Sequence, residues 1–380
     1  MRILVTGGGT GGHVQPALAV IDELRRRDLA IEFLYVGSQT GIEATLALES
    51  GIPFRSVTVG KLRRSSKGLR GLLTAKNATD LLRVPVGIVQ AMWIVRRFKP
   101  DAVLGTGGYV SVPTILASGL QRIPVLTHEQ TVTIGLANRL CGRFSTRIAL
   151  TFEGSRGELP RKLWSRAFVT GNPLRTEIFS GDRTRAISTF GFDVERSAIP
   201  CVYVTGGAQG SRILNRGVQG AAEVLLRSSR VLHQCGAADA LEMMRFAESL
   251  PADLRGRYRI RPFIGREEIG DAFALADVVV SRAGAGTVTE LSALGKPAVF
   301  VPLEPSSRDE QLRNAQRLVQ AGGAVLVRQA DFNADSLLAA VQPLLESESM
   351  RRNMSTSLQA LSTPNATGDL AGALLELGSR

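Results

Sequence analysis

Two hydrophobic rhythms alternate along this chain. Short, nearly solid apolar runs bounded by glycine are followed by longer stretches in which apolar residues recur every three or four positions. The first rhythm predicts buried strands and the second amphipathic helices. In the first half, strands are expected at residues 3–6, 31–36, 102–105 and 125–127, with helices over 16–27 and 42–49. The second half repeats the plan, with strands at 201–205, 231–234, 278–281 and 298–301, extended pieces at 259–260 and 262–264, and helices over 212–226, 288–294 and 311–321. Such alternation builds βαβ units around a parallel sheet. A chain of 380 residues exceeds one ordinary core. The expectation is therefore an α/β protein of two Rossmann-like, doubly wound domains. The seam falls near residues 175–199, where the pattern turns polar and mixed. Doubly wound domains bind ligands at the carboxyl ends of their strands, so the cleft is expected between two domains that face each other.

Glycine turns stand at those strand ends. They read Gly7-Gly8-Gly9-Thr10-Gly11-Gly12, Gly107-Gly108-Tyr109, Gly206-Gly207-Ala208-Gln209-Gly210-Ser211 and Arg282-Ala283-Gly284-Ala285-Gly286-Thr287. A strand opening into such a turn brings bare backbone N–H groups to a helix N-terminus, which suits a phosphate or another oxygen-rich ligand. The first turn is not a dinucleotide fingerprint, because the second strand ends in Val36-Gly37-Ser38 without an acidic residue. It lacks Gly-Lys-Ser/Thr and is not a nucleotide-triphosphate loop either.

Ionisable residues at these turns carry the candidate chemistry. His13 follows the first turn directly. It is either a helix-start residue or a base, and a helix N-terminus favours the neutral imidazole a base needs. In His128-Glu129-Gln130, His128 is a ligand contact or a hydrogen-bonded loop anchor, and Glu129 is the better candidate to touch a ligand or His13. Glu290 is expected in a first helical turn, where a carboxylate is favourable in any case. It could also take both hydroxyls of a ribose.

Composition narrows the partners. The apolar fraction is 44% and the mean hydropathy +0.08, so a folded domain is expected rather than disorder. No run approaches the roughly 20 apolar residues of a membrane span, and no signal peptide is expected before the first strand. Cys141, Cys201 and Cys235 show neither metal spacing nor a disulfide framework and fit a reducing compartment. A net charge of +12 calls for an anionic partner. Aromatics make up only 5% and no stacking motif or zinc finger is present, so no nucleic-acid partner is expected. Residues 61–99 mix Lys61, Arg63, Arg64, Lys67, Arg70, Arg96 and Arg97 with Leu69, Leu72, Leu73, Met92 and Trp93. This is partly a core helix with a basic edge. It also fits a surface resting on anionic lipid, at about 1 kcal/mol per basic residue near the headgroups.

Over essentially its whole length the chain resembles the MurG family of bacterial cell-wall transferases, within glycosyltransferase family 28. The resemblance rests on Gly8-Gly9-Thr10-Gly11-Gly12-His13 with Pro16-Ala17-Leu18-Ala19, on the segment from Gly105 to Ser111, and on His128-Glu129-Gln130 with Gly135 to Arg139. It continues through Gly171-Asn172-Pro173-Leu174-Arg175, Gly206 to Gly210, Ser281 to Gly284, Thr287 to Glu290, and Gln311 with Asn314-Ala315. It implies a GT-B fold and an inverting transfer of N-acetylglucosamine from UDP-N-acetylglucosamine. The acceptor would be the muramyl C4 hydroxyl of lipid I, undecaprenyl-pyrophosphoryl-N-acetylmuramyl-pentapeptide, and the product lipid II. It implies no metal or other cofactor, and no Asp-x-Asp motif is present. The implied location is peripheral, on the cytoplasmic face of the bacterial plasma membrane. Residues 1–176 would form the acceptor and membrane domain, with a helix at about 365–380 packing back on it, and 177–364 the UDP-sugar domain.

The resemblance also assigns roles. His13 would be the base for the acceptor hydroxyl, with Tyr109 and Glu129 near it, and Thr10, Gly11 and Gly12 would line the donor and acceptor site. Ile264 would meet uracil through its backbone, and Glu290 would hold the ribose. Ala208 and Ala285-Gly286-Thr287 would bind the pyrophosphate through amides, with Arg175 adding charge. Gln311 would meet the sugar hydroxyls. The chain departs from the family pattern at Thr131, a substrate-site position where Asn is usual, at Ala208 for Ser, and at Glu310 for His or Gln. These are positions where donor and acceptor preference would differ. A paralogous transferase with another acceptor, a UDP-sugar epimerase on the same plan, and a non-catalytic nucleotide-sugar binder are the rival readings. The basic segment argues against the epimerase, and the set His13, Tyr109, Glu129 and Glu290 argues against the binder.

Overall fold

The computed structural model describes residues 1–27, 30–60, 75–193 and 199–379. The chain divides into two compact units, Met1–Arg175 with Thr363–Arg380, and Thr176–Ser362.

Unit 1 is built on seven parallel strands: β1 (Arg2–Thr6), β2 (Glu32–Gly37), β3 (Phe54–Ser56), β4 (Ala102–Gly105), β5 (Val125–Glu129), β6 (Arg147–Leu150) and β7 (Ala167–Val169). Their order is β3-β2-β1-β4-β5-β6-β7. Ile3, Leu4 and Val5 are all fully buried because the sheet is covered on both faces. On one face the helix Gly11–Arg26 packs Val14, Leu18 and Ile21 into a core shared with Leu370, Leu374 and Leu377 of the C-terminal helix Ala366–Gly378. On the other, the helix Ala75–Phe98 turns Ala91, Ile94 and Val95 toward Leu4, Val103 and Ile115. The last segment of the chain thus completes the core of the first unit.

Unit 2 repeats the design with six parallel strands: β8 (Cys201–Thr205), β9 (Arg230–Gln234), β10 (Tyr258–Arg261), β11 (Val278–Ser281), β12 (Ala298–Phe300) and β13 (Ala324–Leu326). The order is β10-β9-β8-β11-β12-β13. The amphipathic helix Arg212–Ser228 buries Leu214, Val218, Ala221, Leu225 and Leu226 against Val202, Val204 and Leu337.

Both sheets are parallel and doubly wound, as the alternation predicts. Four strands escape the sequence pattern: β3, β6, β7 and β13 have only three or four residues each. The extended piece at 262–264 is not a strand; β10 stops at Arg261, where Pro262 has no N–H to continue the ladder. Two helices start earlier than their apolar rhythm indicates. One begins at Gly11 behind the extended N-cap Thr10, the other at Ala285 behind Gly284. In each sheet the strand order reverses once, between β1 and β4 and between β8 and β11. The crevice outside such a reversal is where open α/β sheets bind ligands.

Candidate active site

In unit 1 the reversal point is built from two glycine turns in contact. The Gly8 amide donates to the Gly107 carbonyl at 3.2 Å. The first turn is also served from inside the protein. Glu43, fully buried in the short helix Ile42–Glu49, accepts from the Gly9 N–H at 3.1 Å and from the Ser38 N–H at 3.0 Å, and from the Ser38 hydroxyl. A Cβ at Gly8, Gly37 or Gly41 would strike the Glu43 side chain within 2.6 Å. These three glycines therefore make room for a carboxylate. The Tyr35 hydroxyl donates to the Gly7 carbonyl at 2.7 Å, and burial together with the Glu43 charge pushes its pKa up, which keeps it a donor. The amides expected to be bare for a ligand are thus partly taken. Those of the first turn of Gly11–Arg26 lack a side-chain cap from Thr10.

His13 sits in that first turn. Gly107 and Gly108, both at positive φ (94° and 80°), bring the second turn against its ring; a Cβ on either would lie 3.3 Å from Nδ1 or 3.1 Å from Cδ2. His13 Nδ1 lies 3.1 Å from the Thr106 carbonyl oxygen and 3.0 Å from Gln130 Oε1. Two acceptors face this nitrogen, so it carries the proton. In the tautomer so fixed, Nε2 is the nitrogen that can accept a proton.

Glu129 makes no hydrogen bond to His13, one of the two contacts expected of it. Oε1 takes the Thr131 amide and hydroxyl (3.2 and 2.8 Å), and Oε2 takes the Gly135 amide and Asn138 Nδ2 (both 3.0 Å). A carboxylate with four donors organises the 129–138 loop, and the neighbour that reaches His13 is Gln130. Thr131 is bound into the same knot, its hydroxyl also lying 2.6 Å from the Thr133 carbonyl. Tyr109 does lie beside the first turn, since a Cβ at Gly9 would meet its ring at 2.9 Å. Arg175 is the last residue of the unit's main segment.

In unit 2 the reversal point joins the turns at 206–211 and 282–287. Arg282 spans them: Nη2 donates to the Ser211 hydroxyl oxygen at 2.9 Å and Nη1 to the Val301 and Pro302 carbonyls at 2.9 and 3.1 Å. Burial lowers its pKa and the Glu304 charge works against that shift. Ala208 is exposed at the tip of its turn. Ala285, Gly286 and Thr287 form the first turn of the helix Ala285–Leu294, whose N-cap Gly284 supplies no side-chain acceptor. Glu290 lies further in and is buried; it is not the first-turn carboxylate the sequence suggests, because the helix starts three residues earlier than its apolar rhythm. Gln311 Oε1 accepts from the Leu303 N–H at 2.9 Å, which orients the amide group. The Ile264 N–H points at Gln234 Oε1, 3.3 Å away, so a ligand would compete for it. Glu43, Gln130, Gln234 and Arg282 are the positioning residues that pattern reading misses. A buried polar side chain carries no periodic signal, and only the glycines around Glu43 hint that something must fit there.

Among the described residues no group of three or more His, Cys, Asp and Glu side chains gathers to hold a metal ion.

Two doubly wound parallel sheets with glycine turns at their reversal points have the GT-B plan, and the family match makes the chain a two-domain glycosyltransferase. Residues 3–150 match the glycosyltransferase family 28 N-terminal domain and residues 201–368 the family's C-terminal domain. The chain is 33% identical, over 97% of both chains, to the UDP-N-acetylglucosamine--N-acetylmuramyl-(pentapeptide) pyrophosphoryl-undecaprenol N-acetylglucosamine transferase of Desulforamulus reducens. It is 37% identical, over 90% of both, to the enzyme of the same name from Lachnospira eligens. The crystal structure of Acinetobacter baumannii MurG superposes with a TM-score of 0.73 at 27% identity, over 99% of each chain. This chain belongs to glycosyltransferase family 28.

Proposed function

We propose that the chain transfers N-acetylglucosamine from UDP-N-acetylglucosamine to the C4 hydroxyl of the muramyl sugar of lipid I, releasing UDP and giving lipid II. The observation that carries the chemistry is His13: its Nδ1 is committed to Gln130 and Thr106, and its Nε2 is left to accept a proton. In the proposed step that proton comes from the acceptor hydroxyl, the oxygen attacks the anomeric carbon, and the bond to the diphosphate breaks with inversion. UDP carries away the negative charge, so the protein's task is to orient one hydroxyl and stabilise a diphosphate. Unit 1 would serve the acceptor through Thr10, Gly11, Gly12 and Tyr109, with Glu129 and Thr131 holding the loop that carries Gln130. Unit 2 would serve the donor. The amides of Ala285, Gly286, Thr287 and Ala208 and the charge of Arg282 would take the diphosphate. Glu290 would take the ribose, the Ile264 backbone the uracil, and Gln311 Nε2 the sugar hydroxyls.

A lipid-borne acceptor calls for a membrane surface. On the helix Ala75–Phe98, Val86, Val89 and Trp93 are 50%, 66% and 60% exposed on the face opposite the core, and the Arg97 guanidinium lies 5.3 Å from the Trp93 ring. Apolar side chains rimmed by arginine support peripheral binding to anionic lipid at the cytoplasmic membrane face. Residues 61–74, which carry the rest of the basic segment, lie outside the described residues. No described helix is long and apolar enough to cross a membrane.

The test is transfer of labelled sugar to a short-chain lipid I analogue, with UDP-N-acetylglucosamine and UDP-glucose side by side. Product from the first donor alone is the expected result. No transfer to this acceptor from either donor would overturn the reading in favour of a paralogous transferase with another acceptor.

A further inference from the structure

The polar residues behind His13 form a one-way chain of hydrogen bonds. At its inner end lies His128, fully buried, with Nε2 2.9 Å from the Gly171 carbonyl oxygen. A carbonyl only accepts, so Nε2 carries the proton and Nδ1 is an acceptor. Gln130 Nε2 lies 3.1 Å from that Nδ1, 2.6 Å from the Thr106 carbonyl and 3.3 Å from the His128 carbonyl. Turned the other way, the carboxamide would set its oxygen against two carbonyl oxygens and an imidazole lone pair. Its orientation is therefore fixed, and Oε1 faces His13 Nδ1 at 3.0 Å. Burial, with a smaller contribution from His13, lowers the His128 pKa to about 4, so the inner ring remains neutral near pH 7.

We infer that Gln130 is a positioning residue: its locked carboxamide, together with the Thr106 carbonyl to which it donates, fixes His13 as the Nδ1–H tautomer and so makes Nε2 the nitrogen that meets the acceptor hydroxyl. The catalytic consequence rests on His13 being the base; the tautomer does not. The other ionisable groups around the ring are held elsewhere or uncharged. Glu129 is occupied by Thr131, Gly135 and Asn138, and Glu43 by Ser38 and Gly9. Tyr109 stands against Gly9, and the first turn of the helix that carries His13 has no acidic residue.

The chain has three histidines, so their ring nitrogens can be followed individually by 15N NMR in the full-length protein. Gln130→Met removes the carboxamide that faces Nδ1 and that also holds the Thr106 carbonyl, the second acceptor on this nitrogen. It should make an Nε2–H form of His13 visible in the spectrum, with a lower kcat and an unmoved KM for UDP-N-acetylglucosamine. Gln130→Glu can fill the same place only as the neutral acid, its O–H donating to the Thr106 carbonyl and its other oxygen accepting from Nδ1, and in that form it should restore the Nδ1–H tautomer. A His13 tautomer unchanged in folded Gln130→Met would overturn the inference. A changed tautomer with an unchanged kcat would support the fixed tautomer and instead remove His13 as the base.

Discussion

Gly11→Ala separates what the fold needs from what a ligand needs. Gly11 is the first residue of the helix Gly11–Arg26, and a Cβ built there meets no heavy atom within 4 Å. Its φ is not positive, so the backbone imposes no strain on alanine. Alanine in place of helical glycine adds about 0.5–1 kcal/mol of stability. For a unit of this size that is a rise of about 1–4 °C in Tm. If the acceptor approaches the uncapped amides of this turn, the new methyl occupies its path. Loss of one hydrogen bond to a neutral hydroxyl costs about 0.5–1.5 kcal/mol, or roughly 2- to 13-fold in kcat/KM. The assay is transfer to a lipid I analogue beside a thermal melt of the same preparation. A more stable protein with a several-fold fall in kcat/KM is the expected pair of results. Undiminished transfer would show that nothing approaches this amide and would refute the reasoning. Gly108→Ala is the contrast. At φ 80° its Cβ would lie 2.1 Å from the Gly8 carbonyl oxygen and 3.1 Å from His13 Cδ2. Strain of about 1–3 kcal/mol, plus displacement of the turn, should lower stability and activity together.

Three further outcomes follow from the site. His13→Ala should lose most transfer while UDP still binds, measured by calorimetry; near-normal turnover would remove His13 as the base. Glu290→Ala should raise the KM for UDP-N-acetylglucosamine at least about tenfold if the ribose loses its acceptor, and an unchanged KM would count against that role. Buried His128 and His233 have pKa values lowered from 6.5 to about 4 and about 3. The unfolded chain takes up protons on both below pH 6.5 while the folded protein does not. Their contribution is therefore complete above about pH 6.5 and is lost as pH falls, by about 3 kcal/mol each by pH 4. Urea midpoints measured from pH 7 to pH 4 should decline steadily; a flat profile would contradict the neutral burial of both rings.

What the sequence reveals here is periodic, and what it conceals is buried and polar. Ile3, Leu4 and Val5 announce a strand because burial on both faces demands an unbroken apolar run. Phe54–Ser56 announces nothing, because a three-residue strand with two polar members makes no apolar run. Glycine at a strand end locates the ligand-binding edge of each sheet, but it reads as turn even where it already lies inside a helix. That is why the expected helix starts fall after Gly11 and Ala285, and why Glu290 reads from the sequence as a first-turn residue. His13 and Gln130 are brought together across the reversal of strand order, and Glu43 reaches the Gly9 amide from beyond β2, over sequence distances that no local pattern spans. The partner of His13 is therefore Gln130, one residue beyond the carboxylate that charge alone would select.

The two glycine-lined edges look alike in sequence and differ in charge. In unit 1 the turn at Gly7–Gly12 encloses the Glu43 carboxylate, with its amide dipoles already directed at a negative charge of the protein's own. A diphosphate brought there would meet that charge as well as the amides. In unit 2, Gly284 leaves the first turn of Ala285–Leu294 without a side-chain cap, and the Arg282 guanidinium lies between that turn and Ser211. Helix dipole and cation act in the same direction at that edge, and both favour an anion. On electrostatic grounds the diphosphate of a nucleotide sugar belongs to unit 2. The edge in unit 1, with an internal carboxylate and a histidine whose Nε2 can accept a proton, is better suited to a hydroxyl that must lose one.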